Sequence, residues 1–456
     1  MNILMIAFQL FANIFENRNS NSYYGFKLIK VAAQNNSDYQ RIVAFQINHP
    51  EGEIWTYYKS GTSVHSDVMI SKVDYKDFIS LLKKWNIKFT IKLYDIQRLI
   101  DYQNKKKFSS YPVRLPITSF DFQHYPRMNE VYAWFDFLAD KYPKWIKVFD
   151  IGKSFEGRLM KIIKIGHDSG SKKAAFFVDG GIHAREWVSV TTALYFISRL
   201  LEPERWTNDA KVIKSMNDLL KTADFYVMPI LNPDGYEYSH TKDRLWRTNR
   251  RLNPVSKCVG VDLNRNWGLS FKGLAHDESC GEIYQGTKAF SEIETRNVRD
   301  FIRNRKCDIL SYLTLHAYGQ MWMYPFAHTH DLAPDYKELS DLMRKATKSS
   351  GYITGSVINL LYPASGSSMD WAYDNMKIKY SFAVELRDRG KYGYLLPSKK
   401  IIPVASENDI WAYYNGGNGR YVEIIISKAS YENFISLLKK LDLEFTIKLD
   451  DIQKLF

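Results

Sequence analysis

Four short apolar runs, each ending on polar residues able to do chemistry, constrain this chain more than any other feature. Ala174-Ala-Phe-Phe-Val-Asp-Gly-Gly181 is closed by glycines, so it reads as a buried strand with a turn at its carboxyl end. His183 and Glu186 follow at once, and from Trp187 to Leu201 the apolar spacing becomes helical. Phe225-Tyr-Val-Met-Pro-Ile-Leu231 runs into the turn Asn232-Pro-Asp-Gly235, Ile309 to Leu315 delivers His316, and Tyr380 to Val384 delivers Glu385. Open α/β sheets hold their ligands outside the carboxyl ends of the strands, which is where all these polar residues fall. The expectation is an α/β sheet with one edge that gathers them.

The residue types point to a metal. A catalytic zinc needs three nitrogen or oxygen ligands and one open position for water, and His183, Glu186 and His316 match that number and type. Glu385 is then a free carboxylate nearby. Singly the signals are weak: His183 and Glu186 also read as an ion pair at a helix start, His316 as a hydrogen-bonded core residue, and Glu385 as a partner of Arg387. Their occurrence together favours the metal.

Longer motifs surround these residues: Gly181-Ile-His-Ala-Arg-Glu-Trp187, Leu231-Asn-Pro-Asp-Gly-Tyr236, Gly260-Val-Asp-Leu-Asn-Arg-Asn-Trp267, Tyr362-Pro-Ala-Ser-Gly-Ser-Ser-Met-Asp-Trp371 and Phe382-Ala-Val-Glu-Leu-Arg387. With them the chain resembles the zinc metallocarboxypeptidases of the pancreatic carboxypeptidase A/B type, from about Pro116 to Pro403 and over much of the N-terminal region. The resemblance implies a doubly wound, mixed-sheet α/β/α catalytic domain preceded by a small antiparallel α+β, ferredoxin-like propeptide. It implies one zinc ion per chain on His183, Glu186 and His316, with Glu385 as general base and Arg247 stabilising the oxyanion. Asn264 and Arg265 match the pair that grips the substrate's terminal carboxylate, Tyr362 matches the tyrosine that closes over it, and Arg185 matches a subsite residue. Cys258 and Cys280 match the family disulfide, leaving Cys307 as a buried free thiol; three reduced core cysteines are the alternative.

One position speaks to specificity. In this family the residue before the Asp-Trp of the tyrosine loop floors the pocket for the terminal side chain, and an acid there selects Lys or Arg. Here it is Met369, with Val357, Ala364 and Ala383 as apolar neighbours. A thioether cannot pair a buried cation, so aromatic and large aliphatic C-terminal residues are expected.

The remaining expectations concern organisation. Ile3 to Phe15 is almost wholly apolar and too short for a stable membrane anchor, so residues 1–16 read as a signal peptide of a secreted protein. Residues 23–104 read as the propeptide, with strands Phe26–Ala32, Ile54–Tyr58, Asp67–Ser71 and Lys88–Leu93 and helices Tyr75–Trp85 and Ile96–Gln103. Residues 105–115 form an activation linker in which Lys105-Lys-Lys107 suits a trypsin-like protease, and 116–408 form the catalytic domain. The net charge of +13 is spread along the chain, which argues against a nucleic-acid partner; no membrane partner and a monomer are expected. Asn35-Asn-Ser37 is a glycosylation acceptor sequence.

Residues 409–456 repeat the later propeptide: Phe434-Ile-Ser-Leu-Leu-Lys-Lys440 copies Phe78-Ile-Ser-Leu-Leu-Lys-Lys84, and Phe445-Thr-Ile-Lys-Leu449 copies Phe89-Thr-Ile-Lys-Leu93. The copy lacks a first strand and begins where the catalytic domain should make its closing helix. A join of neighbouring genes, a tolerated extension and a second inhibitory segment all account for it, though half a sandwich cannot bury its own core. The whole reads as a secreted procarboxypeptidase releasing residues from peptide or protein C-termini. The alternatives are a non-catalytic peptide-binding relative and a regulatory carboxypeptidase preferring basic residues.

Overall fold

A computed structural model describes residues 22–407, apart from 61–62, 109–119, 169, 171, 209, 272, 274–278, 306–307 and 348–349, together with 414–416 and 419–421. The expected signal peptide, the centre of the linker, Cys307 and nearly all of the tail repeat therefore lie outside the described residues.

The N-terminal unit is a four-stranded antiparallel sheet of β1 (Lys27–Ala33), β2 (Glu53–Ser60), β3 (Ser63–Ile70) and β4 (Lys88–Leu93), in the order β2-β3-β1-β4. Side chains alternate along β1, as a two-residue period requires. Ile29 and Val31 pack with Ile42, Phe45, Phe78 and Leu82 of the helices Asn36–Asn48 and Tyr75–Lys84. Leu28, with Trp55 and Met69, joins the core of the following domain instead. A helix, Ile96–Phe108, then leads toward the linker. The helix Asn36–Asn48 is a feature the sequence reading lacked; Asn35 caps it, accepting from the Asp38 amide at 2.9 Å.

The second sheet has eight strands: β5 (Ile146–Lys153), β6 (Leu159–Ile165), β7 (Ala174–Asp179), β8 (Ala223–Met228), β9 (Ile309–Ala317), β10 (Met321–Tyr324), β11 (Ile353–Ser356) and β12 (Tyr380–Leu386). Their order is β11-β10-β12-β9-β7-β8-β6-β5. The central four, β12, β9, β7 and β8, run parallel. Alternation along β7 feeds both faces: Phe176 and Val178 pack with the helix Trp187–Leu201, Ala175 and Phe177 with the helices Ile293–Arg303 and Ser368–Asp374. The sheet is thus covered on both sides, as near-continuous apolar strands demand.

A closing helix is present. Ile401–Glu407 has fewer than three turns, and its Ile401 and Val404 are fully buried in the core that holds Trp187–Leu201. Beyond it, Tyr414–Gly416 pairs with Gly419–Tyr421 in the register Tyr414↔Tyr421 and Gly416↔Gly419. The β2–β3 hairpin pairs Tyr58↔His65 and Ser60↔Ser63, so the tail reproduces this pairing 356 residues later (414 − 58).

Candidate active site

The parallel strands place the polar residues at one edge. Gly181, at φ +62°, makes the turn after β7 that brings His183 and Glu186 back over the sheet; a Cβ there would lie 2.9 Å from Val190 and 3.0 Å from the Pro229 carbonyl. β9 and β12 are in register at His316 and Glu385, and β10 meets β12 at Met321 and Glu385.

His183, Glu186 and His316 are buried, and one potential ligand atom from each lies within 4.8 Å of the other two. Glu186 approaches His183 Nδ1 at 2.8 Å and His316 Nδ1 at 3.1 Å, and the two Nδ1 atoms are 3.2 Å apart. Two ring nitrogens and a carboxylate converging at the wall of a cavity form a donor set suited to zinc. His183 turns its other nitrogen to Asp262 Oδ1 at 3.2 Å, an outer carboxylate that orients such a ligand. Glu385 faces the same space, and its Oε2 has no hydrogen-bond partner among the described residues. Burial and the charge of Glu186 push the Glu385 carboxyl up to about 8, while His316 and Arg247 oppose this. A bound cation would oppose it further.

Asp262 links His183 to Arg247 and Asn264. It accepts from Arg247 Nη2 at 2.8 Å and from the Asn264 amide at 2.8 Å. Burial works against its charge, but Arg247, Arg265 and His183 hold its carboxyl well below the usual range. Arg247 thereby stands near Glu186, at 3.9 Å, facing the cavity that Glu385 also enters. Asn264 uses Oδ1 to accept from the Ser368 amide, fixing the tyrosine loop against it. Arg265 is buried, donates to Tyr362 Oη at 3.1 Å, and has no carboxylate within 4.0 Å among the described residues. A buried guanidinium without a carboxylate partner is chemically suited to take one. Gly366, at φ +69°, lets the tyrosine loop close over Arg265: a Cβ there would fall 2.2 Å from the Arg265 carbonyl oxygen. The Cys258–Cys280 disulfide closes a loop that contains the Gly260–Trp267 motif.

Met369 is buried in a separate apolar cluster with Met321, Met323, Ala327, Val357, Ala364 and Ala383. The carboxylate of the neighbouring Asp370 is engaged at the cluster's edge, accepting from the Ala327 amide at 2.9 Å and contacting His328 Nδ1 at 2.8 Å.

A cavity of about 770 Å³ joins ligands, Arg247, Glu385 and Met369, and its roof is the N-terminal unit. Glu53 of β2 reaches Arg185 at 2.8 Å, beside Glu282 at 3.2 Å. Trp55 wedges against Tyr394 and Tyr318, and Tyr57 meets Tyr362 edge to face at 6.4 Å. Tyr318 also donates to the buried Asp67 of β3 at 3.0 Å. All ten predicted site residues outside the disulfide thus border one space. Asp262, within the Gly260–Trp267 motif, has no signal of its own in the sequence, and Glu53, Glu282, Tyr318 and Tyr394 carry no motif signal.

Comparison with known proteins agrees with this geometry. The sequence profile for zinc carboxypeptidases matches residues 131–410, and that for carboxypeptidase activation peptides matches 29–103. Carboxypeptidase A4 of Mus musculus is 35% identical over 398 residues, covering 84% of this chain and 91% of that protein. Carboxypeptidase B of Astacus astacus is 43% identical over 295 residues, covering 63% of this chain and 94% of that one. Among solved structures, thrombin activatable fibrinolysis inhibitor superposes with a TM-score of 0.75 at 33% identity, over 84% of this chain and 96% of that chain. Carboxypeptidase A from Helicoverpa armigera gives 0.72 at 26% identity, over 85% and 95%. No helix among the described residues is long and apolar enough to cross a membrane.

Proposed function

The chain belongs to the zinc carboxypeptidase family and carries an activation peptide ahead of its catalytic domain; on that premise we propose that it is a secreted, monomeric zymogen that removes aromatic or large aliphatic residues from peptide and protein C-termini. The relatives bear both A and B names, so their names do not decide the specificity. The observation that carries the proposal is the floor of the side-chain pocket: Met369, with Met321 and Met323 beside it, and an Asp370 carboxylate already engaged elsewhere. A C-terminal Lys or Arg would leave a buried cation without a partner there, at a cost of several kcal/mol on the order expected for unpaired charge. Residues 23–104 serve as propeptide, a trypsin-like protease cuts within 105–115, and 116–408 do the chemistry.

His183, Glu186 and His316 are the residues that would hold the single zinc ion, which when bound supplies Lewis acidity and lowers the pKa of its water. Glu385, whose Oε2 is free of hydrogen-bond partners among the described residues, is placed to take a proton from the attacking water and return it to the leaving amine. Arg247, held by Asp262, faces the oxygen that becomes negative. Asn264 and Arg265 bind the terminal carboxylate, Tyr362 covers it and excludes water, and Arg185 lines an adjoining subsite.

The test is hydrolysis of two blocked dipeptides, one ending in Phe and one in Lys, by the trypsin-treated full-length chain with and without a zinc chelator. Chelator-sensitive release of Phe, appearing only after trypsin, is expected. Preferential release of Lys would overturn the specificity, and no release from folded, zinc-loaded protein would favour a peptide-binding role.

A further inference from the structure

The two histidines are supported differently. His183 meets a carboxylate directly, through Asp262, whereas the corresponding nitrogen of His316 meets a hydroxyl, Thr314 Oγ1, at 3.2 Å. Thr314 Oγ1 in turn donates to Asp179 Oδ1 at 2.7 Å, and Tyr312 Oη donates to Asp179 Oδ2 at 2.5 Å. All of these side chains are buried.

Proton bookkeeping gives this chain a direction. With Nδ1 turned to the metal site, the His316 ring must carry its proton on Nε2, so it needs an acceptor there. The other neighbour, Asn264 Nδ2 at 3.3 Å, is a donor, because Asn264 Oδ1 is committed to the Ser368 amide. Only Thr314 Oγ1 can accept, and it can do so while donating its own hydrogen to Asp179. Asp179 has no ion-pair partner within 4.0 Å among the described residues, and its carboxylate accepts from Thr314 on one oxygen and from Tyr312 on the other. Strand geometry builds the arrangement: Tyr312, Thr314 and His316 alternate onto one face of β9, and β7 pairs with β9 in the register Asp179↔Thr314.

We propose that Asp179 and Thr314 are positioning residues for the metal site, holding His316 in the tautomer and orientation that ligates zinc through a carboxylate–hydroxyl–imidazole relay. The proposal rests on the metal-site reading above. Its distinctive claim is that the hydroxyl, not the volume, of residue 314 matters. Thr314→Val keeps the shape and removes the relay, whereas Thr314→Ser keeps the relay and removes a methyl group.

The experiment measures zinc affinity of the metal-depleted full-length chain by competition with a chromophoric chelator, with kcat and KM recorded after trypsin treatment. Loss of an outer partner typically weakens metal binding by about 10- to 100-fold, so Thr314→Val is expected in that range, with Thr314→Ser close to the parent. Tyr312→Phe, which leaves the Thr314–Asp179 contact intact, is expected to bind zinc as the parent does. Should the valine variant not fold, Asp179→Asn carries the test and is expected to weaken zinc several-fold. Parent-like affinity in Thr314→Val, or in Asp179→Asn where it stands in, would overturn the relay. So would a serine variant as weak as the valine one, or an equal loss in Tyr312→Phe. A parent chain that binds no zinc would sink the metal-site reading itself.

Discussion

At the scale of single residues, Glu385 and Met369 make separable claims. Glu385→Gln removes the base without touching a ligand, so kcat should fall by about 100- to 10,000-fold while zinc stays bound, as turnover and metal content of the same sample would show. Activity near the parent's would remove Glu385 as the base. Met369→Asp puts a carboxylate at the pocket floor; a charge-assisted hydrogen bond is worth roughly 1.5–3 kcal/mol, so the Lys-to-Phe ratio of kcat/KM should rise on the order of 10- to 100-fold. An unchanged ratio would place the side-chain pocket elsewhere. The site was largely legible in sequence because its side chains leave strand ends and glycine turns, which have patterns of their own. Asp262, Asp179 and Thr314 were not, because their significance lies in contacts with residues 79, 135 and 2 positions away. An aspartate ending an apolar strand has no local signature for that.

Among the elements, the sheet's four central strands and the helix Trp187–Leu201 announced themselves by dense apolar runs, whereas β5 and β6 were not read from the sequence. The helix Asn36–Asn48 did not: it buries only Ile42, Phe45 and Gln46, too sparse a stripe to register. β10 and β11, four residues each, are too short for a period to be read. The closing helix matters most for stability. It was expected to be displaced by the tail repeat, yet Ile401–Glu407 already seals the core, so truncation after Asn408 should leave the melting temperature within about 2 °C of the parent's. Val404→Asp, which buries a charge in that core, should lower it by roughly 5–10 °C, taking a cost of a few kcal/mol and about 2–4 °C per kcal/mol in a large domain. Calorimetry of both proteins checks the pair; a truncation that unfolds the chain would show that the tail supplies packing the helix lacks.

For the whole molecule, the contact between propeptide and enzyme should respond to pH. Burial raises Glu53 to about 8, with Glu282 adding to the shift and Arg185 opposing it. Burial likewise raises Asp67 to about 6; Lys30, Lys92 and the Tyr318 hydroxyl oppose this, and Asp388 adds to it. Both groups have ordinary values near 4 when released, so docking takes up protons. The stabilisation is fully present below those values and is lost as pH rises through about 6 and then about 8. Zymogen cut in the linker should therefore shed its propeptide at least tenfold faster at pH 8.5 than at pH 5.5, followed by withdrawing samples into one common assay. Equal rates would mean that the Glu53–Arg185 ion pair outweighs burial. The register that unites Met321, Glu385 and His316 across three neighbouring strands has a consequence for how such a molecule can change over generations. Glu385, His316 and Met321 lie on one transverse line, so a single inserted residue in any of the three strands would turn its side chains to the opposite face and break up the candidate site. Loops that carry none of these side chains can lengthen and pocket residues can be exchanged one by one, whereas the strands themselves can vary in composition but not in length.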